Sequence, residues 1–249
     1  MRKILILCVA ALFGFPLAAQ AETHLIPEDS IYSPMMDYQP GYMRLEMQVF
    51  APAFTDDVRA RVIVEPSFSE EFAVGVREQD GTYKLFYYAA PQHLWDYSVL
   101  ELMKRGEITS SKDGKSITAD EIAKLQSSLP VDPSSIKLTQ CEIPVQPQLA
   151  QSLIGVWRTL LLQTHYDENA QLGVDGDTYH FSMRNGYQDL SGKVWSPPDA
   201  TDIGMLIAIV YSVKKACGTT DSRLFNDLQK NIIDLSSHIS ASQRTEPQR

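Results

Sequence analysis

Phe72-Ala73-Val74-Gly75-Val76-Arg77-Glu78-Gln79-Asp80-Gly81-Thr82-Tyr83-Lys84-Leu85-Phe86-Tyr87-Tyr88-Ala89 is the stretch that decides the fold. Two runs rich in β-branched and aromatic residues, 72–77 and 83–89, flank Gln79-Asp80-Gly81. An Asp-Gly step suits the left-handed backbone of a tight hairpin turn, so the stretch predicts two antiparallel strands. Working outward, 59–65 is the next strand, ended by Pro66, which cannot donate to a ladder. The segment 44–50 alternates, with Leu45, Met47 and Val49 on one side, and predicts a further strand. An antiparallel sheet in the N-terminal half follows.

Further along the chain, 96–104 predicts a helix and Lys112-Asp113-Gly114-Lys115 a turn. Thr118 and Glu121 form a capping box that opens a short helix ending before Pro130. Residues 136–143 predict a strand. The C-terminal half is more helical. Leu149, Leu153, Val156, Trp157, Leu160 and Leu161 recur at helical spacing over 148–163. Residues 178–183 read as a strand. A strongly apolar helix follows over 202–216, with Gly218 placed to end it. The last helix, 221–239, carries Leu224, Phe225, Leu228, Ile232, Leu235 and Ile239. The expected fold is α+β, an antiparallel β-sheet from the N-terminal half with C-terminal helices packed on it. We find no internal repeat and no low-complexity linker, so the chain reads as holding one domain.

The first residues carry an export signal. Arg2 and Lys3 precede an apolar run over 4–15, then Pro16, then Ala19-Gln20-Ala21. A dozen apolar residues match the core of a secretory leader and fall short of the roughly 20 needed to span a bilayer. Ala19 and Ala21 supply the small residues of a cleavage site. Cys8 lies inside the apolar run, too early for lipid attachment. The expected organisation is a leader over 1–21, an extended N-terminal arm over 22–43, one α+β domain over 44–240 and a disordered tail over 241–249. The expected location is the periplasm or the secreted fraction.

Net charge is −9, and becomes two units more negative once Arg2 and Lys3 leave with the leader. Such a surface excludes nucleic acid, whose phosphates require basic groups, and disfavours anionic lipid. It is compatible with a basic protein partner. Outside the leader only Cys141 and Cys217 remain. In an oxidising compartment the two are expected to pair, closing a loop of roughly 75 residues that contributes about 4 kcal/mol in the chain-entropy picture. Two buried free thiols are the alternative. A bond would bring the start of helix 148–163 near the end of helix 202–216. The two helices would then run roughly antiparallel on one side of the sheet.

The densest polar segment is Asp175-Gly176-Asp177-Thr178-Tyr179-His180. Two acids two positions apart could serve calcium or acid–base chemistry, but the later ligands of a calcium loop are missing and Asp-Gly-Asp is first a turn. His24, His93, His165, His180 and His238 show no zinc spacing, although His165 and His180 could approach in the fold. There is no Gly-x-Ser-x-Gly elbow and no phosphate loop. Glu70-Glu71 and Asp167-Glu168 are acidic pairs of the kind a glycosidase needs, and also of the kind solvated surfaces carry. Trp195-Ser196-Pro197-Pro198 sets an aromatic ahead of a stiff segment, a candidate binding lip. The sequence predicts no metal and no cofactor. Asp175, Asp177, Tyr179, His180 and Trp195 form the candidate binding surface.

Three segments together carry a resemblance: Arg61-Val62-Ile63-Val64-Glu65-Pro66-Ser67-Phe68, the Trp157…Leu172-Gly173-Val174-Asp175-Gly176-Asp177-Thr178-Tyr179-His180-Phe181-Ser182 stretch, and Gly192-Lys193-Val194-Trp195-Ser196-Pro197-Pro198. The ensemble, roughly 59–216, resembles a group of uncharacterised exported proteins of Gram-negative bacteria. The resemblance implies an envelope location and an α+β fold, and transfers no activity. Taken with size, acidity and the absence of a catalytic set, the expectation is a non-catalytic binding or inhibitor protein, of immunity type, whose partner is another envelope or secreted protein. The alternatives are an envelope hydrolase using Asp175, Asp177 and His180 beside Tyr179 and Trp195, and an envelope-assembly factor.

Overall fold

A computed structural model describes residues 23–28, 40–97, 132–166, 175–186, 188–219 and 221–245. The leader with Ala19 and Ala21, the helix of 96–104 beyond residue 97, the turn at 112–115, the capping box at Thr118 and the Asp167-Glu168 pair lie outside the described residues.

Strands β1 (Val58–Glu65), β2 (Phe72–Gln79) and β3 (Thr82–Ala89) form a meander. Gln79 pairs with Thr82 across a two-residue turn. Asp80 at φ 51° and Gly81 at φ 75° both adopt the left-handed backbone that this turn requires. Strand β4 (Thr139–Val145) adds beside β3. Helix α2 (Pro147–Leu162) follows, and then a hairpin of β5 (Thr178–Asn185) and β6 (Gln188–Trp195) lays β5 against the open edge of β1. All five pairings are antiparallel, in the order β4-β3-β2-β1-β5-β6. The chain ends in α3 (Asp202–Cys217) and α4 (Ser222–Thr245).

Helices α2 and α3 lie on the same face of the sheet. Their buried residues, Leu153, Val156, Trp157, Leu206, Val210 and Val213 among them, share one core with Val62, Val64, Val74, Val76, Leu85 and Phe181. α2 leaves the end of β4 and finishes beside β6, where Thr164 packs on Gly192. α3 starts near β5 and runs past Phe72 and Tyr87 to β4. The two are therefore opposed in direction, as a Cys141–Cys217 bond demands. That bond is present, joining β4 to the last residue of α3 with 5.7 Å between Cα atoms. α4 packs on both α2 and α3, burying Leu228, Ile232, Leu235 and Ile239 at helical spacing. No helix among the described residues is long and apolar enough to cross a membrane.

Four points differ from the sequence reading. The predicted strand over 44–50 is helix α1 (Pro40–Val49). Tyr42, Leu45, Glu46 and Val49 share its buried side, whereas Met47 is 53% exposed, so period 3.6 wins over period 2. α1 also begins within the expected arm. The tail is helical at its start, because α4 continues to Thr245. Finally, β6 escaped the sequence reading, since Gln188-Asp189-Leu190-Ser191-Gly192 is polar and poor in strand formers.

The face opposite α2 and α3 holds a second apolar cluster. Tyr42, Leu45, Val49, Phe50 and Ala53 pack with Ile63, Ala73, Phe86, Tyr88, Leu94 and Ile136. The central strands are thus buried on both faces, which explains why β1 and β2 read as near-continuous apolar runs.

Candidate functional site

The five candidate surface residues divide between the two faces of the sheet. Successive residues of β5 point to opposite sides. Tyr179 faces the helices and belongs to their core, whereas His180 faces α1. The expected hydrolase set of Asp175, Asp177 and His180 therefore does not converge. Asp175 is exposed on the turn before β5. Trp195 pairs in register with Thr178, its ring so close over Gly176 that a Cβ there would lie 2.7 Å from it. His165 stacks on His24, with ring centroids 3.7 Å apart, and does not meet His180. Glu70 and Glu71 separate likewise: Glu70 pairs with Lys214 of α3 at 3.3 Å, and Glu71 is fully buried on the α1 face.

Asp177 and Tyr179 do come together. Asp177 Oδ2 accepts hydrogen bonds from the Tyr179 hydroxyl at 3.2 Å and the Tyr211 hydroxyl of α3 at 2.9 Å. Burial raises the pKa of both phenols, and the Asp177 charge adds to it, so both keep their protons and donate. Thr201 caps α3 by accepting from the Gly204 amide at 3.0 Å. Gly204 lets the helix start press onto the preceding loop, because a Cβ there would meet the Pro198 carbonyl at 2.1 Å. Between this loop and Tyr211 opens a cleft of about 290 Å³, lined by Asp177, Tyr179, Pro197, Asp199, Ile207 and Tyr211 among others. Ser196, also on its wall, is a non-glycine residue at φ 38°. Its hydroxyl accepts from the Asp177 amide and its own amide donates to the Asp177 carbonyl. Such a backbone costs on the order of 1 kcal/mol or more and persists where neighbours hold it.

The β1–β2 loop is fastened beside this cleft. The Ser67 hydroxyl donates to the Gly176 carbonyl and accepts from the Gly176 amide at 3.0 Å. The next residue, Phe68, is 84% exposed. A solitary exposed apolar side chain is ordinary, but this one stands on a loop pinned to Gly176, the neighbour of the cleft residue Asp177.

On the other face, Glu28, Tyr42, Glu46, Glu65, Glu71, His93, His180 and Lys193 gather beneath α1. His180 Nδ1 bonds Glu28 Oε1, and its Nε2 lies 3.4 Å from Glu65 Oε2, an ion-pair distance. The carboxyl groups of Glu46 and Glu65 share a hydrogen bond. Burial raises the Glu46 pKa well above the usual carboxylate range, reinforced by the Glu65 charge, so Glu46 holds the shared proton. Burial alone would raise Glu65 too, but the adjacent His180 charge overrides it and lowers Glu65. For His180, burial opposes protonation, and the charges of Glu65 and Glu28 outweigh it and raise its pKa. Glu71 accepts from the Tyr42 hydroxyl, the Leu94 amide at 2.7 Å and His93 Nδ1 at 2.9 Å. That contact raises the His93 pKa. The arrangement binds α1 to the sheet through alternating acids and bases.

No known protein family, curated protein or solved structure matches this chain. Sequence reasoning missed Phe68, Tyr211 and the Glu46–Glu65–His180 group. An apolar residue inside Pro66-Ser67-Phe68-Ser69-Glu70 was the one readable signal. Tyr211 looks like any core position of an apolar helix.

Proposed function

We propose that the protein is an exported, non-catalytic binding protein of the cell envelope, an inhibitor or immunity-type protein that grips another protein with the sheet end bearing Phe68. The observation that carries this reading is Phe68 itself, held in solvent by the Ser67–Gly176 hydrogen bonds beside an acidic cleft. Exposed aromatic residues on rigid supports are the usual anchors of protein interfaces, and pre-fastening the loop lowers the ordering cost of binding. The acidic balance favours a basic partner by steering its approach. The leader over 1–21 supplies the route to the envelope, and the Cys141–Cys217 bond suits an oxidising compartment. The resemblance to exported Gram-negative proteins supports the same location.

The test mixes the purified protein with basic envelope hydrolases and follows complex formation by size-exclusion chromatography and residual hydrolase activity. A 1:1 complex that silences its partner, and that Phe68→Asp abolishes without lowering the melting temperature, is the expected result. Failure of every basic envelope protein to bind, or full binding by Phe68→Asp, overturns the reading.

A further inference from the structure

The cleft at the start of α3 has a chemistry specific enough to name its occupant, given the partner-binding reading above. We infer that it receives a single lysine side chain presented by the partner.

Size comes first. About 290 Å³ lies at the lower limit of the roughly 300–1,000 Å³ that cofactor- and drug-sized ligands occupy, so the cleft fits one long side chain better than a whole small molecule. Charge comes second. Its polar lining includes Asp199 and Asp177, and the Tyr179 and Tyr211 hydroxyls spend their protons on the Asp177 carboxylate. With those protons spent, the lining is acidic and favours a donor cation. Lys214, one turn beyond Tyr211, does not fill that role, for its Nζ is held by Glu70 and lies 4.4 Å from the centre of the Phe72 ring.

The geometry at Asp177 then favours lysine over arginine. A guanidinium is best held by a carboxylate offering both oxygens to its planar fork. Asp177 Oδ2 already accepts two hydroxyl protons, so the fork has no free pair of oxygens on that group. An ammonium is a point charge with three donors and is served by separate single acceptors such as these. Pro197, Ile207 and Ala208 supply an apolar wall for a lysine's methylene stem. Phe68 stands close by, through Ser67 and Gly176, so an aromatic anchor and a charge socket lie side by side.

The test uses the full-length mature protein with labelled tyrosine ring carbons, titrated by NMR with Nα-acetyl-lysine amide. Nα-acetyl-arginine amide and Nα-acetyl-norleucine amide serve as controls. The lysine probe should shift the Tyr179 and Tyr211 signals saturably. The arginine probe should bind at least about tenfold more weakly, a difference of one power of ten in dissociation constant. The norleucine probe should not saturate. Asp177→Asn should remove the response. Should that variant prove unstable, Ala208→Leu at an exposed helix position fills the cleft while leaving every acceptor in place, and should remove it too. Equal responses to all three probes, no saturation by lysine, or an unchanged lysine response in Ala208→Leu would each overturn the inference. The two readings fail separately. A partner complex that depends on Phe68 but survives Ala208→Leu sinks the lysine socket alone. A lysine response without any Phe68-dependent complex sinks the partner reading alone.

Discussion

Reducing the Cys141–Cys217 bond should cost this protein a large part of its stability. The bond links residues 76 apart and encloses α2, β5, β6 and α3, so it ties one edge strand to the helix that arrives from the opposite side. Closing a loop of that length in the unfolded chain removes about 15 cal/mol/K, or about 4.5 kcal/mol at 25 °C. Domains of this size lose roughly 2–4 °C of melting temperature per kcal/mol, so the expected drop is about 9–18 °C. Against a total stability of about 5–15 kcal/mol, that is enough to leave the reduced protein marginal at physiological temperature. The assay is calorimetry on the same preparation with and without reductant, repeated on Cys141→Ser/Cys217→Ser. Reduction and the double substitution should agree, since both act mainly by freeing the unfolded chain. A melting temperature that moves by less than about 3 °C on reduction would refute the loop-entropy reasoning, because the predicted effect is several times larger.

Further predictions concern the rest of the fold. Glu46 and His180 have raised pKa values in the folded protein, so each contributes stability that is complete below its unfolded value, 4.5 and 6.5 respectively, and fades as pH rises through its folded value. Glu65 is lowered and contributes the reverse, present above 4.5 and lost as pH falls. Urea midpoints should therefore decline on the alkaline side, and Glu46→Gln, which keeps the neutral form beside Glu65, His180 and Glu71, should flatten that decline; an unchanged alkaline limb in the variant would count against the assignment. Gly75→Ala should destabilise by about 1–3 kcal/mol or more, since its Cβ would sit 2.3 Å from the Ala60 carbonyl and 2.5 Å from the Phe86 ring. Gly81→Ala should cost only about 1 kcal/mol, for its left-handed turn has open space around it; equal costs by chemical denaturation would contradict the packing described. Trp157→Ala should lose about 3–5 kcal/mol. Trp157→Phe should lose much less, because the buried indole N–H has no acceptor among the described residues and its removal leaves nothing unpaired there.

The sequence reading captured most of the scaffold where local chemistry and tertiary packing agree. The Asp80-Gly81 turn needs no distant partner to be read, and the helices α2, α3 and α4 carry their buried stripes openly. It failed where two periods fit one short segment. Leu45, Met47 and Val49 satisfy a strand, and only the burial of Glu46 beside Glu65 reveals the helix. It also failed on β6, whose Gly192 is needed because Thr164 and Leu25 press on it from the neighbouring segments. The polar sites were hidden for a different reason. Glu46, Glu65, Glu71 and His180 are scattered along the chain and meet only because β1, β2 and β5 lie side by side. Asp177 and Tyr179 were both placed in the candidate surface, but grouping them with His180 ignored the strand alternation that sends neighbours to opposite faces.

The position of β1 has a consequence for how the molecule comes into being. One of its neighbours, β2, follows within a few residues, whereas the other, β5, is encoded more than a hundred residues later. Until Thr178–Asn185 arrives, the β1 backbone from Ala60 to Glu65 presents an unpaired row of amides and carbonyls on an apolar strand. The early meander is thus complete in its local contacts yet open along its most apolar margin. Closing it waits on a long-range search, the slow kind of folding step. A chain interrupted after α2 would carry a ready template for strand addition by another copy of itself, so the second hairpin acts as the built-in cover that ends the vulnerable interval.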